Sequence, residues 1–241
     1  MKLCIRADAD STIGIGHIMR CLALAQAWQE HGGHVTFISH CESSVLAQRI
    51  TSEGFSFIPI EYPHPHPSDI EQTLGALSAI SHQPSAISWL VLDGYHFTPD
   101  YQKAIRDAGI SLLVIDDMNH LPHYHANILL NQNIHVSDLR YCCDEDTTLL
   151  VGSRYVLLRR EFLKNRSMKR QTPDRARKIL VTLGGADPDN VTLKVLRALS
   201  LLKESDIDVR VVVGPANPNI ASLKHELSFS PFAFHLLQSV N

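Results

Sequence analysis

Apolar and polar positions along this chain switch repeatedly between a period of two and a period near 3.6, with glycine or acidic turns where they switch. Residues 3–7 read as an opening strand. From His17 to Gly32 the apolar positions Ile18, Cys21, Leu22, Ala25 and Trp28 fall on one helical stripe, closed by Gly32 and Gly33. The alternation continues as strand 34–39, helix 43–54, strand 55–60, helix 69–80, strand 89–94, helix 99–109 and strand 111–117, with a proline-broken loop at 62–69. Segments 126–133 and 147–152 read as short buried strands. This order predicts a parallel sheet covered by helices on both faces, with its functional loops at the carboxyl ends of the strands.

A second series begins after residue 176. Strand 177–185 ends in Gly184 and Gly185, and helix 189–202 has Asn190 as its expected cap, with Asp187 or Asp189 adding favourable charge near its start. Strand 208–215, helix 219–228 and strand 232–237 follow. The expected organisation is an α/β unit over 1–165, a basic linker over 166–176 and a partial second unit over 177–241.

Composition narrows the class. With 241 residues, 44% hydrophobic and 20% charged, the chain is that of a folded globular protein. Its apolar runs, such as Val211 to Val213, are strand-length, so no membrane span is expected. The start, MKLCIRADAD, turns acidic too soon for a signal peptide. Five cysteines without a CxxC pair argue against a disulfide framework or a four-cysteine zinc site and fit a reducing cytoplasm.

The net charge of −3 conceals a split. Residues 1–150 carry 7 basic and 17 acidic side chains, residues 151–241 carry 15 and 8, and nine of those basic residues lie in 159–178. A solvated connector is the plain reading of that strip; a strip that draws in an anion is the sharper one. It has no interleaved aromatics, so no nucleic-acid partner is expected.

The first candidate site is DADSTIGIGHIMRC. Gly14 and Gly16 allow an exposed backbone turn, and the helix opening behind them favours an anion. A dinucleotide fingerprint fails, because Met19 stands where its third glycine belongs and Ser39-His40 where its acid belongs; no phosphate-binding GxxxxGK[ST] exists either. His17 opens the helix, where the positive dipole end disfavours imidazolium and suits the ring to accept a proton. Asp93, Gly94, Tyr95 and His96 end a buried strand, where a phenol orients water or stabilises charge and Asp93 serves equally as a loop anchor. Asp116 and Asp117 end another strand; neighbouring side chains there face opposite ways, so at least one is structural. LVTLGGADPDN repeats the phosphate-cradle pattern in the second unit, and VVVGPANPN places Asn217 in a turn. His64 and His66 lie in the proline loop and His120, His123 and His125 flank Pro122, which reads as scattered surface histidine. Neither a metal nor a cofactor is expected. The residues alone point to a phosphate-bearing ligand held by the two units.

The stretches RADADSTIGIGHIMRCLALA, DGYHF, IDD, LLVGSRYVLLRREF, ILVTLGGADPDNVT and VVVGPANP, in this order, resemble the UDP-2,4-diacetamido-2,4,6-trideoxy-β-L-altropyranose hydrolases of pseudaminic acid biosynthesis. That family is similar to inverting GT-B glycosyltransferases. The resemblance implies two Rossmann-like domains with a UDP-sugar in the cleft, and transfer of the sugar to water with inversion. It implies His17 as catalytic residue and Tyr95 beside it, with substrate-binding roles for Gly14, Gly16, Arg20, Asp93, Gly184, Gly185, Asp187 and Asn217. In the family the second domain continues through a further strand, a Gly-Ser-Thr loop and more helices. This chain stops at Asn241, so the expectation is a shortened second domain whose unfinished sheet edge offers a surface for self-association. The alternatives are a GT-B sugar transferase and a fragment that acts only by binding.

Overall fold

The structure is a computed structural model that describes residues 1–81, 87–169, 171–184, 187–202, 206–214, 217–228 and 233–238. The chain divides into two compact units, Met1–Ser167 and Met168–Asn241. Gly185 lies outside the described residues.

The first unit runs β1 (Lys2–Ala7), α1 (Gly16–Glu30), β2 (His34–Ser39), α2 (Ser44–Ser52), β3 (Ser56–Pro59), α3 (Ser68–Ser81), β4 (Ile87–Asp93), α4 (Pro99–Asp107), β5 (Leu112–Ile115), β6 (Ile128–Asn131), β7 (Thr148–Val151) and α5 (Arg160–Leu163). Its seven strands pair in parallel in the order β3-β2-β1-β4-β5-β6-β7. Side chains alternate across each strand, so both faces need cover. Leu3, Ile5, Phe37 and Val91 pack with Ile18, Cys21 and Leu22 of α1 and Ile50 of α2. Cys4, Ile38, Leu90 and Leu92 pack on the other face with Leu77 of α3 and Tyr101 and Ile105 of α4. The strand order reverses between β1 and β4, and at such a switch point the loops beyond the strand ends part to leave a crevice.

Caps set the helix starts. Ser43 Oγ accepts from the Leu46 amide at 3.3 Å to open α2, and Thr98 Oγ accepts from the Tyr101 amide at 3.3 Å to open α4. Helix α1 has neither a side-chain cap nor an acid in its first turn. The start of the basic strip is held against the unit rather than free in solvent: the Arg160 amide donates to Gln26 at 2.8 Å, Arg160 pairs with Glu30 at 3.1 Å, and Arg49 pairs with Glu161 at 2.9 Å.

The second unit runs β8 (Lys178–Thr182), α6 (Val191–Ser200), β9 (Asp208–Val213), α7 (Ile220–Leu227) and β10 (Ala233–Gln238), with parallel strands in the order β10-β9-β8. Val181, Val209 and Val211 pack with Leu196 and Leu223 of the helices. The side chain of Asn190 does not cap α6, contrary to the sequence expectation. Its backbone sits at φ 50°, and its Nδ2 donates to Ser222 at 3.2 Å. Asp187 does the capping, with its two carboxylate oxygens accepting from the amides of Val191 and Thr192, each at 2.9 Å. No described helix is long and apolar enough to cross a membrane.

Candidate active site

The loop after β1 is built by Asp10. Its Oδ1 accepts from the amides of Thr12 at 2.7 Å and Ile13 at 2.6 Å, and its carbonyl accepts from the Gly14 amide at 2.9 Å. Gly14 then takes φ +75°, a conformation strained for other residues. The chain enters α1 at Gly16, so the first amides of the helix face the loop with no side chain satisfying them.

His17 is buried at the head of α1, and its Nδ1 lies 2.6 Å from Oδ1 of Asp93, the fully buried last residue of β4. The β1–β4 register sets Asp93 beside Ala7, so the strand end and the glycine loop are neighbours across the switch point. A carboxylate only accepts, so Nδ1 carries the proton and Nε2 keeps its lone pair. Arg20, one turn along α1, donates to both Asp93 oxygens at 2.6 Å and to Asp117 Oδ2 at 2.5 Å. Its guanidinium is held charged: burial pulls its pKa down, and the two carboxylates more than reverse this.

Asp117 lies just beyond β5 and also accepts from Tyr95 OH at 2.5 Å and from Asn133 Nδ2 at 2.7 Å. Burial pushes its carboxyl up, but these donors and Arg20 together hold it below the usual carboxylate range. The same contact and burial push the Tyr95 phenol well above its ordinary value, with burial the larger cause. Tyr95 therefore stays protonated. Its ring stands edge-on to His17, with centroids 4.8 Å apart. Two carboxylates and one guanidinium give this cluster a formal charge of −1.

As expected for neighbours facing opposite ways, Asp116 is structural. It is buried and accepts from the Tyr124 hydroxyl at 2.9 Å, the Tyr141 hydroxyl at 2.7 Å and the Asn119 amide at 2.7 Å. His120 spans from Asp116 to the Tyr95 carbonyl, with both contacts at 3.0 Å, and so fixes the Tyr95 loop.

Behind the site lies a buried ion network that sequence reasoning missed. Arg6 pairs with Asp8 and Asp69 and stacks 5.0 Å from the Phe97 ring centroid. Asp8 also accepts from the His40 amide at 2.7 Å and contacts His96 Nε2 at 3.0 Å. A Cβ on Gly94 would stand 2.7 Å from His96 Cε1, which explains a glycine there. The available signal was a charged pair, Arg6 and Asp8, at the end of an otherwise apolar buried strand.

The structure thus brings together Gly14, Gly16, His17, Arg20, Asp93 and Tyr95 in the first unit. Gly184, Asp187 and Asn217 lie in the second. Asn217 is buried, and its Oδ1 accepts from the Asn219 amide at 2.8 Å. Asn219 in turn ties the two loops of that unit by donating to the Asp187 carbonyl at 3.0 Å.

No protein-family model matches the chain. Over 227 residues it is 26% identical to the UDP-2,4-diacetamido-2,4,6-trideoxy-β-L-altropyranose hydrolase of Campylobacter jejuni, a match covering 93% of this chain and 73% of that one. The chain is a distant relative of that hydrolase. Over 221 residues it is also 29% identical to an uncharacterised protein of Methanocaldococcus jannaschii, covering 89% of this chain but spanning only 43% of that protein. Among solved structures, a glycosyltransferase from Rickettsia africae is similar with a TM-score of 0.61 at 13% identity, over 100% of this chain and 68% of that one. A Staphylococcus aureus MnaA–UDP co-structure is similar with a TM-score of 0.57 at 10% identity, over 99% and 69%. These likenesses establish a GT-B type α/β fold.

Proposed function

We propose that the chain carries the catalytic residues of a UDP-sugar hydrolase, acting on a UDP-linked diacetamido-trideoxy sugar. The observation that carries this reading is the 2.6 Å contact of His17 Nδ1 with Asp93, which leaves Nε2 as a proton acceptor at the carboxyl end of the sheet. In the proposed step, a water donates a proton to Nε2 as its oxygen bonds to the anomeric carbon. The bond from that carbon to the diphosphate oxygen breaks, and UDP leaves from the opposite side, inverting the centre. The uncapped amides at the start of α1 are suited to the diphosphate charge that grows as this bond breaks. A diphosphate is already a good leaving group, so neither a strong general acid nor a pair of carboxylates is required. Asp93 and Asp117 stabilise the imidazolium formed, and Arg20 holds them in place.

Support for the substrate class comes from the hydrolase relative and from the UDP-bound neighbour. The glycosyltransferase neighbour favours a second reading, in which an acceptor alcohol replaces water. One assay separates the two. The chain is incubated with the UDP-sugar alone, and UDP and free sugar are followed by proton NMR. The hydrolase reading requires release of both without an acceptor, with the sugar first appearing as the inverted anomer, and loss of release in His17→Ala. Release only on addition of an acceptor alcohol would establish the transferase.

A further inference from the structure

Ahead of β6 and β7, two short extended segments run side by side. Tyr124 forms an isolated parallel bridge with Cys143: the Tyr124 amide donates to the Cys142 carbonyl at 2.9 Å, and the Asp144 amide to the Tyr124 carbonyl at 3.3 Å. Alternation about this bridge places His123 and His125 on one face together with Cys142 and Asp144. Tyr124 points the other way, fully buried, with its hydroxyl on Asp116. His123 Nε2 and His125 Nδ1 each lie 2.9 Å from the same Asp144 oxygen, and the rings are 4.5 Å apart. The sequence expectation of scattered histidine therefore does not hold for this pair. Asp144, the residue that joins them, is 19 positions from His125.

We propose that His123, His125 and Asp144 form a binding site for a divalent transition ion of the zinc class, which clamps the chain before β6 to the chain before β7. The donor atoms lie within 4.8 Å of one another. Two imidazoles and a carboxylate suit zinc and its neighbours rather than calcium or magnesium, which favour all-oxygen sets. Metal bonds of about 2.0–2.2 Å would require each ring nitrogen to part from the Asp144 oxygen by only a few tenths of an ångström. The Cys142 thiol lies 3.3 Å from the other ring nitrogen of His123 and orients that ring, as outer partners of metal ligands do. His125 and Asp144 also line a cavity of about 480 Å³, which gives an ion access and leaves room for water at a fourth position.

The test uses the untagged full chain, stripped with a chelator and titrated with Zn²⁺ against a chromophoric competitor. One equivalent should bind with a micromolar or tighter Kd. His123→Ala and Asp144→Asn should each weaken binding by at least about 100-fold, and Cys142→Ser by about 10-fold. Co²⁺ should give the visible absorption of a low-coordinate site. Should a variant misfold, the unaltered chain still decides the matter: Zn²⁺ must remove two histidine ring-proton signals from pH titration. Absence of saturable binding at 100-fold excess over micromolar, or binding undiminished in the His123→Ala, His125→Ala double variant, overturns the proposal. None of these readouts depends on turnover.

Discussion

His17 and Asp93 meet at 2.6 Å although 76 residues separate them, and the second oxygen of Asp93 is taken by Arg20. The carboxylate therefore does two things at once: it fixes the tautomer of the imidazole and ties the first turn of α1 to the end of β4. Asp93→Asn keeps the shape and removes the charge that an imidazolium would meet. Its kcat for UDP release should fall about 10²–10⁴-fold, with KM little changed, because the loss is in the transition state. Steady-state kinetics on the folded variant check this, and a kcat within threefold of the unaltered chain would exclude the pair from the chemistry.

Arg20 is the only cation between Asp93 and Asp117 among the described contacts of the cluster. Arg20→Met leaves two buried or half-buried carboxylates facing each other, a loss of about 3–5 kcal/mol of stability. Arg20→Lys should fall between, because one ammonium does not reproduce a fork that reaches two acids. Urea unfolding should rank the three proteins arginine, lysine, methionine; equal midpoints for the first and last would refute the ion cluster as a stabilising element.

Asp8 gives a pH signature. Burial pushes its carboxyl up, but the contact with His96, the charge and hydrogen bond of Arg6 and the His40 amide together hold it at about 2, against an ordinary 3.8. A depressed carboxyl stabilises the fold above its ordinary value and loses that contribution as pH falls through the lowered one. About 2 kcal/mol should therefore disappear between roughly pH 4 and pH 2. Urea midpoints of Asp8→Asn should lie below those of the unaltered chain at pH 7 and converge with them near pH 2.

The fold was legible because its signals are periodic and local. Strands such as His34–Ser39 and the stripe Ile18–Ala25 on α1 announce a covered parallel sheet, and every strand expected from the sequence is present among the described residues. His17 was legible because two glycines and a helix start surround it. The pairing of His17 with Asp93, and of Arg20 with Asp117, was not, because it depends on which strand ends become neighbours when the order reverses between β1 and β4. The same holds for Asp69, which reaches Arg6 from a helix 63 residues on. Asn190 misled because Ser, Asp and Asn are all good caps, and a left-handed backbone at Asn190 handed the role to Asp187.

Asp187 separates two roles by the sign of one effect. The motif resemblance gives it contact with substrate, whereas its carboxylate already accepts from the amides of Val191 and Thr192. Those two amides belong to the helix start that a diphosphate would use in a phosphate cradle, and a carboxylate already occupies them. Burial raises the Asp187 carboxyl, and the Thr192 hydroxyl together with the Thr192 and Val191 amides brings it below its ordinary value, so it is charged at neutral pH and would repel a second anion there. If its role is to cap α6, Asp187→Ala should destabilise the second unit by about 1–2 kcal/mol while leaving UDP affinity unchanged or improved. If it binds substrate, UDP affinity should drop with little loss of stability. Calorimetric titration with UDP, paired with thermal unfolding of the same variant, reads both quantities, and the geometry predicts the first outcome.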